Sequence, residues 1–474
     1  MKKAVLTTRS LLSLVLAVAF LTGCSDSVLS DTDTTAGIQD SEAESSFTKL
    51  RHSHLLRAKF LSRTKVLERY ESLAASDDFV LGMSKVLERY KVLERYESYD
   101  GVVIKRRYRN AIDGFAVHIQ DSLMSIEDFL SIVENDGDIS WIEPDIKVNN
   151  AQPKRSNLKP GARQYLPWGV ERVGAGIGSS ASVDADIFVL DGGIEWTDLN
   201  ESGDVDVVVS GSGNAMSAAH GTHIAGTAAA EDNSRGVVGV APGARVHSYK
   251  VLNGAGNAKL SDVIEAVDRI TAKKLADPSR PMVVNISFGA DIGTTEYNGL
   301  DEAIANSIAA GVVYVIAAGN EGIDASTVTP AHVTEAITVG AYDRYDTFAS
   351  FSNFGPTVDL LAPGVDIESL SPSRRPFAPP VLMTGTSMAA PHVAGAAALY
   401  LDAKPSATPQ EVLEALTAAA QPGIAAVPAN TTALSVHVSG LLSSAVDGFT
   451  SITNVESSVS DRLKPGKGRG NGRR

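Results

Sequence analysis

Three side chains in this 474-residue sequence carry groups that could act together: the carboxylate of Asp191, the imidazole of His220 and the hydroxyl of Ser387. Ser387 sits in Gly385-Thr386-Ser387-Met388-Ala389-Ala390-Pro391-His392, between tight-turn residues and a run of small apolar residues that reads as a buried helix. On this reading Pro391 falls in the first turn, where backbone N–H groups lack intrahelical partners and proline is tolerated. A hydroxyl there lies at the positive end of the helix dipole, which suits a nucleophile whose attack generates an oxyanion. Serine is a poor nucleophile until a neutral imidazole takes its proton. A carboxylate that fixes the imidazole tautomer and stabilises the imidazolium completes the set. Taken singly, each residue has a plainer role: Ser387 as a helix cap, Asp191 as a turn residue, His220 as a structural histidine.

To meet, the three must be delivered by elements far apart in the chain. Asp191 follows directly on the apolar run at 187–190 and precedes Gly192-Gly193. That places it at the C-terminal end of a strand, where ligands bind in parallel sheets. His220 opens His220-Gly221-Thr222-His223-Ile224-Ala225-Gly226-Thr227, the start of a buried helix. From 184 onward, apolar runs at 187–190, 245–252, 282–288, 312–317 and 336–339 alternate with helical spacing at 261–274 and 298–310. Continuous apolar runs suit strands covered on both faces, so the order predicts a doubly wound parallel α/β sheet. Thr408 as a cap and Pro409 in the first turn predict a late surface helix.

The motifs VLDGGIEWTDL, HGTHIAGT, VVNISFG, AAGNEG and GTSMAAPHVAGAAALYL resemble, in that order, those of the subtilisin-like serine proteases. The order Asp191, His220, Ser387 is also that family's order. The resemblance runs over about 164–420, and Thr329-Pro330-Ala331 with Lys404-Pro405-Ser406-Ala407-Thr408-Pro409 leans towards the proteinase K-like branch. It implies a serine endopeptidase whose oxyanion donors are the side-chain amide of Asn320 and the backbone N–H of Ser387. Ser287-Phe288-Gly289 and Gly256-Asn257-Ala258 resemble the two extended segments that pair with a substrate backbone, a contact of little sequence demand. Ala317-Ala318-Gly319 resembles a specificity-pocket wall of small residues, and no acidic residue is assigned to the pocket base. The expectation is broad cleavage favouring apolar residues before the cut. The family usually has Ser or Thr after the catalytic aspartate; Gly192 stands there, which implies weaker support of Asp191 and lowered activity.

Residues 231–242 resemble the family's calcium loop. The resemblance implies Ca²⁺ held by the side chain of Asn233, the carbonyls of Glu231, Arg235 and Val237, the Asp198 carboxylate and the Gln164 amide oxygen, an all-oxygen set. No organic cofactor is implied. His220 and His223, three apart on one helical face, also raise a zinc pair, but no third ligand set and no H-E-x-x-H accompany them. An α/β-hydrolase esterase is disfavoured, because G-x-S-x-G is absent around Ser387 and the aspartate precedes the histidine.

Apolar content of 43%, 21% charged residues and a net charge of −14 describe a soluble globular protein and argue against non-specific nucleic-acid binding. Lys2, Lys3 and the apolar run 11–21, too short for a span, read as an export signal. Leu21-Thr22-Gly23-Cys24 resembles a bacterial lipobox, which implies cleavage before Cys24 and its lipidation. Cys24 is the only cysteine, so no intramolecular disulfide forms. A polar stretch from 25 to 46 reads as a tether. The hexad Lys-Val-Leu-Glu-Arg-Tyr occurs at 65–70, 85–90 and 91–96 with unequal spacing, which fits local duplication and no solenoid.

Strand patterns at 101–109, 111–119 and 139–148, with a helix at 125–135, predict a small α+β, ferredoxin-like domain lacking a clear first strand. Asn110–Ala116 and Trp141–Asp145 resemble subtilase propeptide inhibitors. The expected organisation is signal 1–23, tether 24–60, propeptide domain 61–150, linker 151–163, catalytic domain 164–448 and a flexible basic tail 449–474. It implies a monomer whose partners are peptide or protein substrates, its own propeptide and, through Cys24, a membrane. Cleavage between Ile146 and Tyr165 would free the catalytic domain from a tethered, self-inhibited zymogen. The competing class is a surface-attached pseudoprotease that uses the cleft only to bind peptide.

Overall fold

The period-2 alternation of the first strands decides how the chain is layered. In β1 (Asp78–Met83), Phe79 and Leu81 face a core shared with α1 (Arg89–Glu97), whereas Val80 faces the main domain. The same split recurs after β2 (Val102–Tyr108): in β3 (Gly114–Ile119), Phe115, Val117 and Ile119 turn to the small core and Ala116 turns away. Helix α2 (Ile126–Asn135), capped by Ser125, adds Phe129, Leu130 and Val133 to that core. With β4 (Ile139–Pro144) these strands form an antiparallel sheet in the order β2-β3-β1-β4.

The coordinates are a computed structural model describing residues 77–84, 89–149, 156–157, 164–176, 183–195, 198–207, 215–372 and 379–441, all within the unit 57–474. The signal segment, Cys24, the tether, the first hexad copy, most of the linker and the tail after 448 lie outside the described residues. Strand β1 corrects the expectation of a missing first strand. Its sequence, DFVLGM, shows no polar alternation because every residue is buried. Gly82 is needed there: a Cβ would lie 2.2 Å from Nε1 of Trp141. The third hexad copy provides Val92, Leu93 and Tyr96 to the core of α1, while Tyr90 of the second copy is 69% exposed.

Beyond β5 (Lys147–Asn149), β6 (Ser156–Asn157) and α3 (Trp168–Arg172), the main sheet begins with β7 (Asp186–Asp191) and β8 (Asn200–Val207). Helix α4 (Ala215–Ala229), β9 (Arg245–Lys250), β10 (Asn257–Lys259), α5 (Leu260–Ala276), β11 (Met282–Ile286) and β12 (Ala290–Asp291) follow. Next come α6 (Gly299–Ala309), β13 (Val313–Ala317), β14 (Val328–Thr329), β15 (Ile337–Tyr342), β16 (Leu360–Pro363) and the ribbon β17 (Ile367–Ser369) and β18 (Val381–Met383). Helices α7 (Thr386–Ala403) and α8 (Pro409–Ala419) follow, and the described chain runs on to residue 441.

The seven-stranded sheet has the order β16-β15-β13-β11-β7-β9-β8, with every pairing parallel. Ile187 and Val189 of β7 face a core built with α4, α7 and α8; Phe188 and Leu190 face the opposite core with α5 and α6. This is the doubly wound α/β arrangement that the uninterrupted apolar runs predict. Central β7 carries neighbours on both sides, so its C-terminal end opens at the point where strand order reverses, the usual ligand position in such sheets. Among the described residues no helix is long and apolar enough to cross a membrane.

Candidate active site

Asp191 ends β7 and is fully buried. One carboxylate oxygen accepts the Nδ1–H of His220 at 2.7 Å, and the other accepts the N–H of Gly192 at 2.7 Å. Gly192 therefore supports the carboxylate through its backbone, although it offers no hydroxyl. Gly221 permits the approach of α4 to the strand end, since a Cβ there would sit 2.4 Å from the Gly193 carbonyl and 3.2 Å from Asp191 Oδ1. With Nδ1 engaged, the lone pair of the neutral His220 ring is on Nε2, which is buried and makes no hydrogen bond. That atom is open to accept a proton.

Ser387 is the second residue of α7, and α7 packs against α4. Its hydroxyl donates to the carbonyl of Ser287 at 3.1 Å and makes no hydrogen bond to His220. Catalytic hydrogen bonds commonly tighten only with substrate in place. The reading of Pro391 needs correction: it is the sixth residue of α7, past the first turn. There it removes the N–H that would bond the carbonyl of Ser387, and the hydroxyl of Ser287 donates to that carbonyl at 3.3 Å instead.

Asn320 stands at the opposite wall. Its amide oxygen accepts the N–H of Thr386 at 2.8 Å and the hydroxyl of Thr386 at 3.0 Å, which fixes the amide and leaves Nδ2 outward. A Cβ on Gly385 would lie 3.5 Å from both Nδ2 and Oδ1 of Asn320 and 3.7 Å from the Ser387 nitrogen, so the Asn320 amide and the Ser387 N–H meet beside this glycine. Such a pair of preorganised donors is what a developing oxyanion requires.

The adjoining pocket, about 380 Å³, is lined by Ser287, Phe288, Gly289, Ala317, Gly319, Val328, Asn320 and Ser387. Ala318 is instead turned into a core with Tyr342 and Leu361. Two carboxylates missed in the sequence, Asp291 and Glu321, also line this pocket. Glu321 is held by the N–H of Asn320 at 2.8 Å and the amide of Asn353 at 2.9 Å. They arrive on separate segments, β12 and the turn after Asn320, so no spacing in the sequence announces them.

The chain's own β5 lies in this cleft. Lys147, Val148 and Asn149 pair antiparallel with Lys259, Ala258 and Asn257, and Asn149 exchanges two 3.1 Å backbone hydrogen bonds with Gly289. Asn257, Ala258 and Gly289 thus flank an extended strand; Gly256 serves the preceding bend, with φ +79°. Upstream of β5, Asp145 accepts the N–H and hydroxyl of Ser261 at the start of α5, and Glu143 accepts the N–H of Gly299 at the start of α6. Carboxylates at helix N-termini satisfy orphan donors and complement the dipole. Burial pushes the Asp145 carboxyl up to about 6.

The remaining predicted residues fall in two places. His223 donates Nε2–H to the carbonyl of Ile367 at 2.8 Å, and burial pushes its imidazole down to about 3, so it is a neutral structural group. Gln164, Asp198, Glu231 and Asn233 do converge: the Asn233 amide lies 2.6 Å from Asp198 and 2.9 Å from Glu231, and the Gln164 amide lies 2.7 Å from the Glu231 carbonyl and 3.5 Å from that of Val237. Burial raises the Asp198 carboxyl, against the opposing effects of the Asn233 amide and the Arg235 charge. In this arrangement the amide nitrogens of Asn233 and Gln164 donate into the knot, and their oxygens, the expected ligands, accept the N–H groups of Arg235 and Ser234 instead. The Arg235 N–H bonds to Asn233 Oδ1 at 3.1 Å. No group of three or more His, Cys, Asp or Glu side chains suited to a metal occurs among the described residues.

Comparison with known proteins agrees with this geometry. The family model described as Subtilase family matches residues 135–448. The extracellular serine proteinase of Thermus sp. (strain Rt41A) is 34% identical over 69% of this chain and 75% of its own length. Subtilisin DY of Bacillus licheniformis is 37% identical over 54% of this chain and 92% of its own. In fold, the chain is similar to fervidolysin from Fervidobacterium pennivorans, with TM-score 0.62 and 24% identity over 77% of this chain and 61% of that one. The chain therefore belongs to the subtilase family and is a serine endopeptidase.

Proposed function

We propose that Ser387 is the nucleophile, His220 its general base and later its general acid, and Asp191 the group that orients His220. Asn320 Nδ2 and the Ser387 N–H hold the oxyanion. The observation that carries the assignment is the 2.7 Å Asp191–His220 bond with Nε2 left open, on a helix packed against the one that bears Ser387. In the reaction the Ser387 hydroxyl rotates from Ser287 to Nε2, gives up its proton and attacks the scissile carbonyl; His220 returns the proton to the leaving amine, then takes one from a water that releases the acyl group as the acid and restores the Ser387 hydroxyl. The pocket walls Phe288, Ala317, Gly319 and Val328 support a broad specificity that leans to apolar residues before the cut.

The enzyme is exported and made as a self-inhibited zymogen. Residues 61–150 act as a ferredoxin-like propeptide, a reading supported by the β2-β3-β1-β4 sheet order and by β5 filling the cleft. Cys24 anchors the precursor to a membrane through a lipid, and self-cleavage between Ile146 and Tyr165 releases a monomeric catalytic domain. Gln164, Asp198, Glu231, Asn233, Arg235 and Val237 would hold a structural Ca²⁺ that ties the loop to the strand end. The proteinase K-like leaning rests on the two short motifs alone. Intact mass of the wild type beside Ser387→Ala tests this reading: a shortened chain in the wild type only is expected. A binding-only pseudoprotease would leave both at full length, and Ser387 would resist a fluorophosphonate.

A further inference from the structure

One wall of the pocket beside Ser387 is a short ribbon. Ala290 and Asp291 of β12 pair antiparallel with Thr329 and Val328 of β14, and Ala290, Asp291 and Val328 line the pocket. Among the described residues the two strands form a sheet of their own, outside the seven-stranded one. A two-stranded ribbon is marginal by itself, so other contacts must fix its place.

Those contacts converge on Asp301, the third residue of α6, which is fully buried. One carboxylate oxygen accepts the Thr329 hydroxyl at 2.6 Å. The other accepts Nε2–H of His332 at 2.7 Å and the N–H of Asn298 at 2.9 Å, which closes the cap of α6. On its far side the His332 ring meets the Ser326 carbonyl through Nδ1 at 3.1 Å, and the backbone N–H of His332 donates to the Val328 carbonyl at 2.9 Å. The ring of Tyr297 lies against His332, with centroids 5.4 Å apart. β14 is thus tied at Thr329 itself, at Ser326 before it and at His332 after it, through one carboxylate and one imidazole. A carboxylate in the first turn of a helix is favoured by the dipole and by the orphan N–H groups, so α6 serves as the post for the ribbon.

We propose that Asp301, Thr329 and His332 are positioning residues for substrate selection: they fix Val328 so that the pocket sorts the side chain before the cut by its size. This rests on the endopeptidase reading and adds the residues that keep its pocket stiff. A wall distinguishes one methylene from the next only while it does not yield, and that distinction is worth about tenfold or more in kcat/KM. The oxyanion donors are carried by other segments, the turn after β13 and the start of α7. Slackening β14 therefore acts on fit and spares the turnover of a small residue.

Three peptide p-nitroanilides that differ only in Ala, Leu or Phe before the cut supply the test. The full-length chain is first allowed to process, active sites are counted with a fluorophosphonate, and Ser387→Ala serves as the blank. Thr329→Val removes the hydroxyl and keeps the shape, Thr329→Ser retains the hydroxyl, and His332→Gln breaks the second tie. The parent should favour Phe over Ala. Per active site, Thr329→Val should lower the Phe-to-Ala ratio of kcat/KM about tenfold, through a higher KM for Phe, with kcat for Ala within about twofold of the parent. His332→Gln should lower the ratio at least as far, and Thr329→Ser should hold it within about twofold of the parent. A ratio unchanged in both Thr329→Val and His332→Gln, whatever their Tm, overturns the proposal and leaves the three residues a stabilising role. A loss of kcat shared equally by all three substrates overturns it too, as does a parent that does not distinguish Phe from Ala. Absence of Ser387-dependent cleavage in the parent would sink the underlying reading instead.

Discussion

Ser287 and Ser387 are joined twice: the Ser387 hydroxyl donates to the Ser287 carbonyl at 3.1 Å, and the Ser287 hydroxyl donates to the Ser387 carbonyl at 3.3 Å. The second bond replaces the helical one that Pro391 cannot make. Both residues are buried, so loss of the Ser287 hydroxyl leaves a carbonyl without its donor. Ser287→Ala should therefore cost about 1 kcal/mol. Thermal unfolding of the variant in a Ser387→Ala background, where self-digestion is absent, should show a Tm lower by about 2 °C.

The position of Asn320 makes a kinetic prediction. Its amide oxygen is spent on the N–H and hydroxyl of Thr386, which leaves Nδ2 as the group free to donate. A donor placed for the oxyanion acts mainly in the transition state, so Asn320→Ala should lower kcat with little change in KM. In a subtilisin, loss of such an amide costs roughly 10²–10³ in turnover, and the same scale is expected here. A variant altered in KM alone would assign Asn320 to ground-state binding.

How much of this was legible in the sequence follows from the range of the interactions involved. The apolar runs specify β7, β9, β11, β13 and β15 because they recur in alternation with stretches of helical spacing, the order of a doubly wound sheet. Asp191 and Ser387 are readable because each sits at an element end beside small residues that mark a close approach; His220 does not open its helix as expected but is the sixth residue of α4, and only its motif marks it. Glu143 and Asp145 are different. Their partners, Gly299 and Ser261, lie 156 and 116 residues away, and no local pattern encodes such a contact. β1 escaped for another reason: an all-buried six-residue run beside a duplicated segment has no period to read. Pro391 lies past the first turn because the helix starts at Thr386, earlier than a proline in its first turn would require.

Asp268 offers a direct test of how the N-terminal module is held. This carboxylate accepts the N–H groups of Arg109, Asn110 and Ala111 and the side-chain amide of Asn110, gathering four donors from one turn of the module. Removing it leaves several backbone N–H groups at a buried contact without an acceptor. In the Ser387→Ala background, Asp268→Ala should make residues 77–149 about tenfold more susceptible to added trypsin than the parent. Equal protection would mean that apolar packing around Val80, Tyr108 and Trp141 holds the module alone.

The calcium proposal is tested through stability rather than activity. A cation bound by the folded loop stabilises it by mass action, so adding EDTA should lower Tm in the Ser387→Ala protein. Restoring Ca²⁺ in excess should restore it, and Mg²⁺ at the same concentration should do so less well, because its geometry is more demanding. Asp198→Ala should abolish the response to EDTA. A Tm indifferent to chelator in the parent would remove the ion from the account.

Asp359 yields a prediction in pH. Burial pushes its carboxyl up to about 7, against a single backbone donor, the N–H of Thr338 at 2.8 Å. The unfolded chain releases this proton near the ordinary aspartate value of about 3.9. Between that pH and about 7 the folded state binds the extra proton, so this residue subtracts stability as pH rises through the window and subtracts a constant amount above it. Asparagine keeps the acceptor for Thr338 and carries no charge. Asp359→Asn in the Ser387→Ala background should accordingly match the parent near pH 4 and gain on it up to about pH 7. Above that it should hold a plateau on the order of 4 kcal/mol, about three pH units at 1.36 kcal/mol each. Tm measured at intervals from pH 4 to 9 checks the shape; a difference that is flat across the range would place the ionised carboxylate in water rather than behind β16.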